Sequence, residues 1–377
     1  MGDWAELQRL LDWITAWAAP AAQLVVRWQG QPVFAGASGW LDPNTRQHPV
    51  RRDTLFDLAS LTKLFATTAF MVLVEEALVY LEQPVVSVLN AFHGVRPVQP
   101  YEDPQHPGAF VTVDTETAEV DTGTVTFRHL LTHTSGLPAW RPLYRQPTAQ
   151  AAREMALSTF FAYRPGAHVI YSDIGLILLG LAIERLAGEP LDRAVQRRVT
   201  RPLGLSHTRY LPIRYGALSP GEENVAPTEL CPWRGYRLVG EVHDENAWRL
   251  AGVSAHAGLF STAEDVAVLG ESFLDAQCLR QSTIREMTRL QAQEGGIRRG
   301  LGFALWSPNP EASSHPFGGQ AFGHTGFTGT SLWIDPTREL VVALLTNEVY
   351  RGRRNRRIGT VRLRVHKAIV EVVSRLS

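Results

Sequence analysis

Hydrophobic periodicity divides the chain into helical and extended segments. Helical spacing of apolar residues predicts an N-terminal helix over 3–19, with Asp3 as its N-cap, and a C-terminal helix over 356–375. The same spacing predicts helices over 61–80, 149–161, 174–187 and 191–199. Short apolar runs bounded by turn residues predict strands over 24–28, 33–37, 55–59, 330–334 and 340–346.

The order of these segments predicts an α+β fold. Strands from both ends of the chain are expected to form one antiparallel sheet flanked by helices, with a mainly helical domain inserted between them. The predicted boundaries are a discontinuous sheet domain of residues 1–57 and 245–377 and a helical domain of residues 58–244. Within the helical domain, residues 94–124 are rich in Pro, His, Thr and acidic residues, and a long loop is expected there, with a lid as one interpretation.

Composition and charge narrow the classes of function. The 377 residues are 45% hydrophobic, and 37 basic residues balance 37 acidic ones, so nothing electrostatic predicts nucleic acid or an anionic membrane as partner. No apolar run reaches the roughly 18 residues that predict a membrane-spanning helix. Cys231 and Cys278 are expected to be free thiols. The seven arginines within 351–364 are expected on the solvated start and outer face of the last helix.

The first 20 residues do not resemble a secretory leader. They carry Asp3, Glu6 and Asp12 where a leader has basic residues followed by an unbroken apolar stretch. The expected location is therefore the cytoplasm, unless a leader has been removed.

Lysine is almost absent from the chain. Of the 37 basic residues only Lys63 and Lys367 are lysine, and the other 35 are arginine. Arginine keeps its proton near neutral pH, whereas a desolvated lysine can lose it. Lys63 is therefore a candidate for acid–base chemistry, although Lys367, in the predicted C-terminal helix, indicates that a retained lysine alone proves little.

Ser60-Leu61-Thr62-Lys63 places two reactive groups on one helical turn. A serine at the start of a helix and a lysine three residues later lie on the same face. The free N–H groups at a helix start would stabilise an oxyanion, and a buried lysine tends to lose its proton and can then accept that of the serine. Taken alone, the pattern also fits a capping serine with a surface lysine.

Three further motifs follow Ser60 and Lys63 in the chain. Residues 130–138 (LLTHTSGLP) end a predicted helix in a Gly/Pro turn, and Tyr171-Ser172-Asp173 precedes an apolar helix. His324-Thr325-Gly326 opens a predicted late strand. Serine-x-x-lysine, tyrosine-x-Asn/Asp and Lys/His-Thr-Gly, in this order, form the set used by active-site serine penicillin-recognising enzymes.

The chain therefore resembles the active-site serine β-lactamase and D,D-peptidase superfamily over about residues 20–370. This group includes class C β-lactamases, D,D-peptidases and family VIII carboxylesterases, and LLTHTSGLP is close to a signature for it. Residues 242–247 (VHDENA) and 256–262 (HAGLFST) are similar to β-lactamase-related serine hydrolases. The resemblance implies the β-lactamase/D,D-peptidase-like fold and a serine hydrolase that needs no cofactor or metal.

The resemblance also implies a role for each motif residue. Ser60 attacks the substrate carbonyl, while Lys63 and Tyr171 carry the proton from Ser60 to the leaving group; which of the two is the base for acylation stays open. The oxyanion is expected between the backbone N–H groups of Ser60 and Phe327. The expected substrate-binding and oxyanion residues are Asp173, His324, Thr325, Gly326 and Phe327.

Two positions depart from the usual pattern of the family. His324 stands where β-lactamases usually have lysine, which weakens the expectation that a substrate carboxylate is bound and favours esters and peptides. Asp173 replaces the more usual asparagine, and an ionised carboxylate there would keep Lys63 protonated and shift the base role toward Tyr171. Both changes lower the expectation of β-lactam turnover and leave the nucleophile unchanged.

The expected function is hydrolysis of ester or amide bonds in a small molecule, with carboxylesterase activity and weak β-lactam hydrolysis. The alternatives are a D,D-carboxypeptidase or muropeptide amidase of cell-wall recycling, and an inactive binding or sensor relative. A zinc helix is not expected, because Leu130 stands where the H-E-x-x-H motif needs glutamate between His129 and His133. His243 and His256 are expected to brace loops near the site.

Overall fold

The computed structural model describes residues 4–376, apart from 105, 107, 212–223 and 355. The predicted helices are present with slightly different bounds, and the expected N-cap Asp3 lies outside the described residues. The α-helices of the described chain are α1 (Ala5–Trp17), α2 (Thr62–Glu75), α3 (Phe127–Thr132), α4 (Ala149–Leu157), α5 (Asp173–Ala187), α6 (Leu191–Val195), α7 (Glu245–Arg249), α8 (Ala263–Asp275), α9 (Gln281–Thr288) and α10 (Ile358–Leu376).

The strands come from both ends of the chain and from short segments between them. In chain order they are β1 (Ala21–Trp28), β2 (Gln31–Gly39), β3 (Phe56–Asp57), β4 (Val95–Pro97), β5 (Tyr101–Glu102), β6 (Phe110–Val111), β7 (Glu119–Asp121), β8 (Arg209–Tyr210), β9 (Leu259–Ser261), β10 (Ala292–Glu294), β11 (Ile297–Arg299), β12 (Ala304–Leu305), β13 (Phe322–Thr325), β14 (Ser331–Asp335) and β15 (Leu340–Thr346).

One antiparallel sheet joins the two ends of the chain, as predicted. Its order is β10-β11-β12-β13-β14-β15-β1-β2, so β1 lies between β15 and β2, with Val25 opposite both Ala343 and Ala35. Alternate residues of a strand face opposite sides of the sheet. Leu24 and Val26 accordingly pack with α1 and α10 on one side, whereas Val25 joins the larger core on the other. Helices on both faces of an antiparallel sheet make this an α+β fold.

The helical part of the chain packs on the same face of the sheet as α8. Helix α2 is apolar around its whole circumference and almost entirely buried, and it contacts α5 and α6. One buried cluster includes Leu61 and Leu64 at the start of α2 and Val341 of β15. The N-terminus of α2 therefore lies where helices meet sheet. The division of the chain at 57/58 and 244/245 into two domains stays a proposal.

Three segments differ from their predicted form. Residues 94–124 contain two small ladders, β4 with β7 and β5 with β6, in place of an open loop. Pairings of two or three residues are too short to leave a periodic pattern in the sequence. His324 lies near the end of β13, not at its start, because pairing with β14 already begins at Phe322. The helix predicted over 191–199 ends as α6 and continues in a π-helical turn, Gln196–Thr200.

Two further expectations concern the chain as a whole. Among the helices of the described chain, none has the length and apolar character needed to cross a bilayer. Cys231 and Cys278 are free thiols, as predicted, and Cys231 is buried.

Candidate active site

Ser60 lies in a tight turn that leads into α2. The preceding residue, Ala59, has a left-handed backbone (φ 46°), an uncommon conformation for a residue with a side chain. The buried carboxylate of Asp57 supports this turn by accepting the N–H of Ala59 at 2.8 Å. Ser60 is partly exposed between buried neighbours, so a substrate can reach its hydroxyl.

Lys63 lies one turn below Ser60, with three oxygen neighbours. Its Nζ is 2.9 Å from Ser60 Oγ, 2.9 Å from the carbonyl oxygen of His256 and 2.8 Å from Asp173 Oδ1, and its side chain is 1% exposed. The oxygens of Ser60 and His256 accept hydrogen bonds from the ammonium group, whereas Asp173 Oδ1 is at ion-pair distance but outside normal hydrogen-bond geometry. Burial lowers the pKa of Lys63, but the Asp173 carboxylate and Tyr171 outweigh burial and leave its pKa above the ordinary value. The Asp173 carboxylate thus opposes the deprotonation that burial favours, and the shift of the base role toward Tyr171 stays a prediction.

Tyr171 completes the group around Ser60. Lys63 Nζ lies 4.9 Å from the centre of its ring. The Tyr171 hydroxyl is buried beside Ser60 and Lys63, outside normal hydrogen-bond geometry, and has no partner among the described residues. Burial raises the pKa of Tyr171, and Lys63 opposes that rise. The structure thus brings the three predicted residues together in one buried cluster.

The turn that follows α3 fixes the tyrosine segment in place. His133, directly after the last residue of α3, caps the helix in the left-handed conformation (φ 59°). The carbonyl of His133 accepts the N–H of Ile170 at 2.9 Å, and its Nδ1 accepts the N–H of Ser172 at 3.1 Å. Ala139, at the far end of the turn, accepts the N–H of Asp173 at 2.9 Å. The LLTHTSGLP segment therefore aligns the tyrosine and aspartate motif with the serine.

Two buried histidines flank the tyrosine in uncharged form. Burial, aided by nearby Arg299 and Lys63, holds the pKa of His133 well below its usual value. Burial, followed by Lys63 and Arg299, lowers the pKa of His324 to about 3. His324 Nδ1 lies 2.8 Å from the carbonyl oxygen of Thr325, so Nδ1 carries the proton. Its Nε2 is left as a buried acceptor without a partner in the described chain.

Arg299, on β11, is a site residue that the sequence does not reveal. Its guanidinium lies 5.3 Å from the centre of the Tyr171 ring, and burial lowers its pKa. No carboxylate of the described residues pairs with it, and its Nε has no hydrogen-bond partner there. A partly buried cation without a carboxylate partner among the described residues is available to an anionic part of a ligand.

The turn between β13 and β14 faces Ser60 and is tied to the segment that precedes it. Thr328 Oγ1 donates to the carbonyl of Asp57 at 2.7 Å, and Thr330 Oγ1 donates to that of Leu58 at 2.9 Å. Gly326 must lack a side chain, because a Cβ there would lie 2.5 Å from Leu58 O and closer still to Thr330 Oγ1. Within the described chain, the N–H groups of Ser60 and Phe327 make no hydrogen bond. Both predicted oxyanion donors are therefore free.

His256 supports Lys63 from the side opposite Ser60. Its carbonyl accepts the lysine N–H, and its ring lies between Asp244 Oδ1 at 2.8 Å from Nε2 and Ser254 Oγ at 2.7 Å from Nδ1. Burial raises the pKa of Asp244, but His256 outweighs burial and leaves the pKa well below its usual range. The prediction that His256 braces a loop near the site is confirmed. His243 does the same for Phe327, since their rings stack with 5.5 Å between centres.

The candidate metal ligands of the described chain already have other partners. His129 Nδ1 accepts the N–H of Thr126 in a capping box, and His133 Nδ1 accepts the N–H of Ser172. Glu229, Cys231 and Glu245 are close enough to share an ion. However, the guanidinium of Arg353 bonds to both carboxylates and takes the position of a cation. These groups therefore do not fit a metal.

Comparison with known proteins gives the family. The β-lactamase family profile matches residues 12–366. A putative D-alanyl-D-alanine carboxypeptidase of Escherichia coli (strain K12) is 32% identical over 368 residues, covering 87% of this chain and 78% of that protein. The chain therefore belongs to the β-lactamase family and is a serine hydrolase, as its motifs predict.

Solved structures of the same fold include several hydrolases. EstCE1, a hydrolase with promiscuous acyltransferase activity, superposes with a TM-score of 0.72 at 22% identity, over 97% of this chain and 99% of that one. The D-amino acid amidase of Ochrobactrum anthropi SV3 superposes with a TM-score of 0.71 at 21% identity, over 100% of both chains. At these identities the likeness confirms the predicted α+β, β-lactamase/D,D-peptidase-like fold.

Proposed function

We propose that the protein hydrolyses ester and amide bonds of small molecules through an acyl-enzyme on Ser60. The observation that carries this proposal is the 2.9 Å contact between Ser60 Oγ and Lys63 Nζ at the free N-terminus of a buried helix. The second N–H for the oxyanion is that of Phe327, on the turn bound to Leu58 and Asp57.

Tyr171 is the better candidate for the base of acylation. Lys63 keeps its proton beside Asp173, so in the active form the tyrosine would be a phenolate stabilised by Lys63, which opposes the rise that burial gives the pKa of Tyr171. The phenolate takes the hydroxyl proton as Ser60 Oγ bonds to the carbonyl carbon, and it then gives that proton to the leaving group as the old bond breaks. Water attacks the acyl-enzyme by the same route, which frees the acid and restores Ser60.

Carboxylesterase activity is the first candidate, either as the natural activity of the protein or as a side activity. The lysine of the usual third motif is replaced by His324, which is neutral because of its burial and its cationic neighbours. Because His324 is uncharged, the acyl part of the substrate does not need an anionic group to bind beside it. Weak β-lactam hydrolysis is proposed from the contact between Ser60 and Lys63 alone, because His324 and Asp173 both lower the expected rate of β-lactam turnover.

D,D-carboxypeptidase activity is the second candidate, favoured by Arg299. This unpaired cation beside Tyr171 is suited to the terminal carboxylate of a D-alanyl-D-alanine peptide. The relatives at 32% identity carry the name putative D-alanyl-D-alanine carboxypeptidase. A muropeptide amidase of cell-wall recycling is a related alternative with the same chemistry.

One experiment separates these proposals. Wild type and Ser60→Ala are compared on p-nitrophenyl butyrate, on a D-alanyl-D-alanine peptide and on a muropeptide amide. Hydrolysis of the ester alone supports the esterase, and release of D-alanine supports the carboxypeptidase. Equal rates for Ser60→Ala and wild type would contradict the acyl-enzyme, while a wild type inert to all three and to acylating probes would indicate a binding or sensor relative.

A further inference from the structure

Arg362 lies in α10, on the far side of the turn that carries Phe327. The side chain is buried, and its Nη2 donates two hydrogen bonds, to the carbonyl of Gly326 at 2.9 Å and to that of Thr330 at 2.6 Å. These two carbonyls stand at the beginning and end of the turn between β13 and β14. The guanidinium therefore spans the base of the turn.

The bond to Gly326 acts on one particular peptide group. The carbonyl of Gly326 and the N–H of Phe327 belong to the same planar peptide unit. A cationic donor at the carbonyl oxygen draws electron density from the N–H, which becomes a stronger donor. That N–H is the one proposed above to bind the oxyanion, and in the described chain no other group uses it.

The bond to Thr330 fixes the same N–H in space. Thr330 also holds the turn to the nucleophile segment, through its hydroxyl and the carbonyl of Leu58 at 2.9 Å. The N–H of Gly326 closes the turn by donating to the carbonyl of Thr330 at 2.7 Å. Arg362 thus binds the turn from α10, while Thr330 binds the same turn to Leu58, two residues before Ser60.

Among the residues that the structure describes, no carboxylate forms a direct ion pair with Arg362. Its charged neighbours are Arg356 and Glu348, and Glu348 is already bonded to the side chain of Arg356 and the N–H of Arg357. Burial lowers the pKa of Arg362 to about 9, so the group stays charged at neutral pH. A buried cation of this kind costs stability, which a role in structure alone does not account for.

We propose that Arg362 is a positioning residue of the oxyanion hole, whose guanidinium holds and polarises the Gly326–Phe327 peptide group so that its N–H stabilises the developing oxyanion. The inference rests on the proposed acyl-enzyme at Ser60. It identifies a residue outside the catalytic motifs that strengthens the stabilisation of the oxyanion.

The test replaces Arg362 by methionine, which keeps the apolar stem without donors, and by lysine, which keeps the charge. For Arg362→Met we expect kcat on p-nitrophenyl butyrate to fall about 10-fold, less than for loss of a whole oxyanion donor, with little change in KM. Affinity for a phenylboronic acid, which forms a tetrahedral adduct on an active serine, should fall in parallel with kcat/KM. The acyl-carbonyl stretch of a trapped acyl-enzyme should move to higher frequency, and Arg362→Lys should recover part of each effect.

Two controls come from the same helix. Arg364→Met removes an equal charge from an exposed side chain that lies against Trp13, and His366→Gln perturbs a buried group bonded to the carbonyl of Ser313. Both should leave kcat, boronate affinity and the stretch unchanged, although His366→Gln lowers Tm.

The outcomes separate this proposal from the one it rests on. If Arg362→Met lowers Tm as His366→Gln does but leaves kcat, boronate affinity and the stretch at wild-type values, Arg362 is structural and the inference is wrong. If Arg362→Met does not fold, Arg362→Gln, which removes the charge but keeps an N–H donor, decides, and wild-type values for Arg362→Gln in all three measurements overturn the inference. A wild type that forms no acyl-enzyme contradicts the proposed function instead.

Discussion

Replacing Asp173 by asparagine tests how the charge of Lys63 is set. The carboxylate lies 2.8 Å from Lys63 Nζ, at the first position of α5. Asparagine has nearly the same shape and removes only the charge. In the variant, Lys63 keeps its contacts with Ser60 and His256 but loses the group that opposes desolvation. The pKa of Lys63 is therefore expected to fall.

The size of the effect follows from the distance. Two unit charges at 2.8 Å interact by about 6 kcal/mol at an effective dielectric of about 20. Because the Asp173 side chain is 22% exposed, solvent screening reduces this to about 3 kcal/mol. The pKa of Lys63 is raised in the folded protein, so this stabilisation is fully present below the ordinary lysine pKa of 10.5 and is lost as pH rises through the folded pKa.

The assay is kcat/KM for p-nitrophenyl butyrate between pH 5 and 11, corrected for spontaneous hydrolysis. Because the pKa values of Lys63 and Tyr171 are both raised, the wild-type rise in activity should lie at the alkaline end of this range. The rise reports loss of one proton from the pair, and in Asp173→Asn it should move to lower pH. Asp192→Asn is the matched control, since Asp192 stands in the first turn of α6, outside the site. A folded Asp173→Asn variant with the wild-type pH profile would refute this assignment of the Lys63 charge.

Three further predictions concern the surroundings of the site. Asp244→Ala removes both the partner of the His256 ring and the N-cap of α7, so the free energy of unfolding should fall by about 2–4 kcal/mol in urea denaturation. A loss below about 0.5 kcal/mol would contradict this role of Asp244. Arg299→Gln should lower kcat/KM for a D-alanyl-D-alanine peptide about 30-fold, the value of one charge-assisted hydrogen bond, and leave kcat/KM for p-nitrophenyl butyrate nearly unchanged. Equal losses on both substrates would contradict the binding of a substrate carboxylate by Arg299. Gly326→Ala forces the turn away from Leu58 O, so acylation measured by stopped flow should slow at least about 100-fold, and wild-type acylation would show that the Phe327 N–H is not in the hole.

Long periodic elements could be predicted from the sequence, and short pairings could not. The end helices α1 and α10 and the strands β14 and β15 have enough residues for their apolar pattern to stand out, and their bounds shift by only a few residues. The ladders within 94–124 pair two or three residues each, and Arg96, within β4, is buried and donates to the carbonyl of Thr159. Contacts of this kind depend on tertiary neighbours that no local pattern records.

The motif residues of the site could be predicted because their chemistry is local. Ser60 and Lys63 share one helical turn, and Asp173 lies two positions from Tyr171. Arg299 and Arg362 carry no such mark, since they are two of 35 arginines. What distinguishes them is partial burial of Arg299 and full burial of Arg362, neither with a carboxylate partner in the described part of the chain.

Backbone contributions to the site are also absent from the sequence. The carbonyl of His256 that accepts the Lys63 N–H is a group every residue has, so only the fold reveals it. Likewise, the N–H of Phe327 is available because Gly326 and Thr330 close the turn around it.

The most direct test of the account is the intact mass of the protein over time with benzylpenicillin and, in parallel, with p-nitrophenyl butyrate. The account predicts an acyl adduct with at least one of them, mapped to the peptide that contains Ser60 and absent from Ser60→Ala. A lasting penicilloyl adduct would indicate slow deacylation, and a transient one with product accumulating would indicate β-lactam turnover. An adduct on another residue, or hydrolysis by Ser60→Ala at the wild-type rate, would contradict the account.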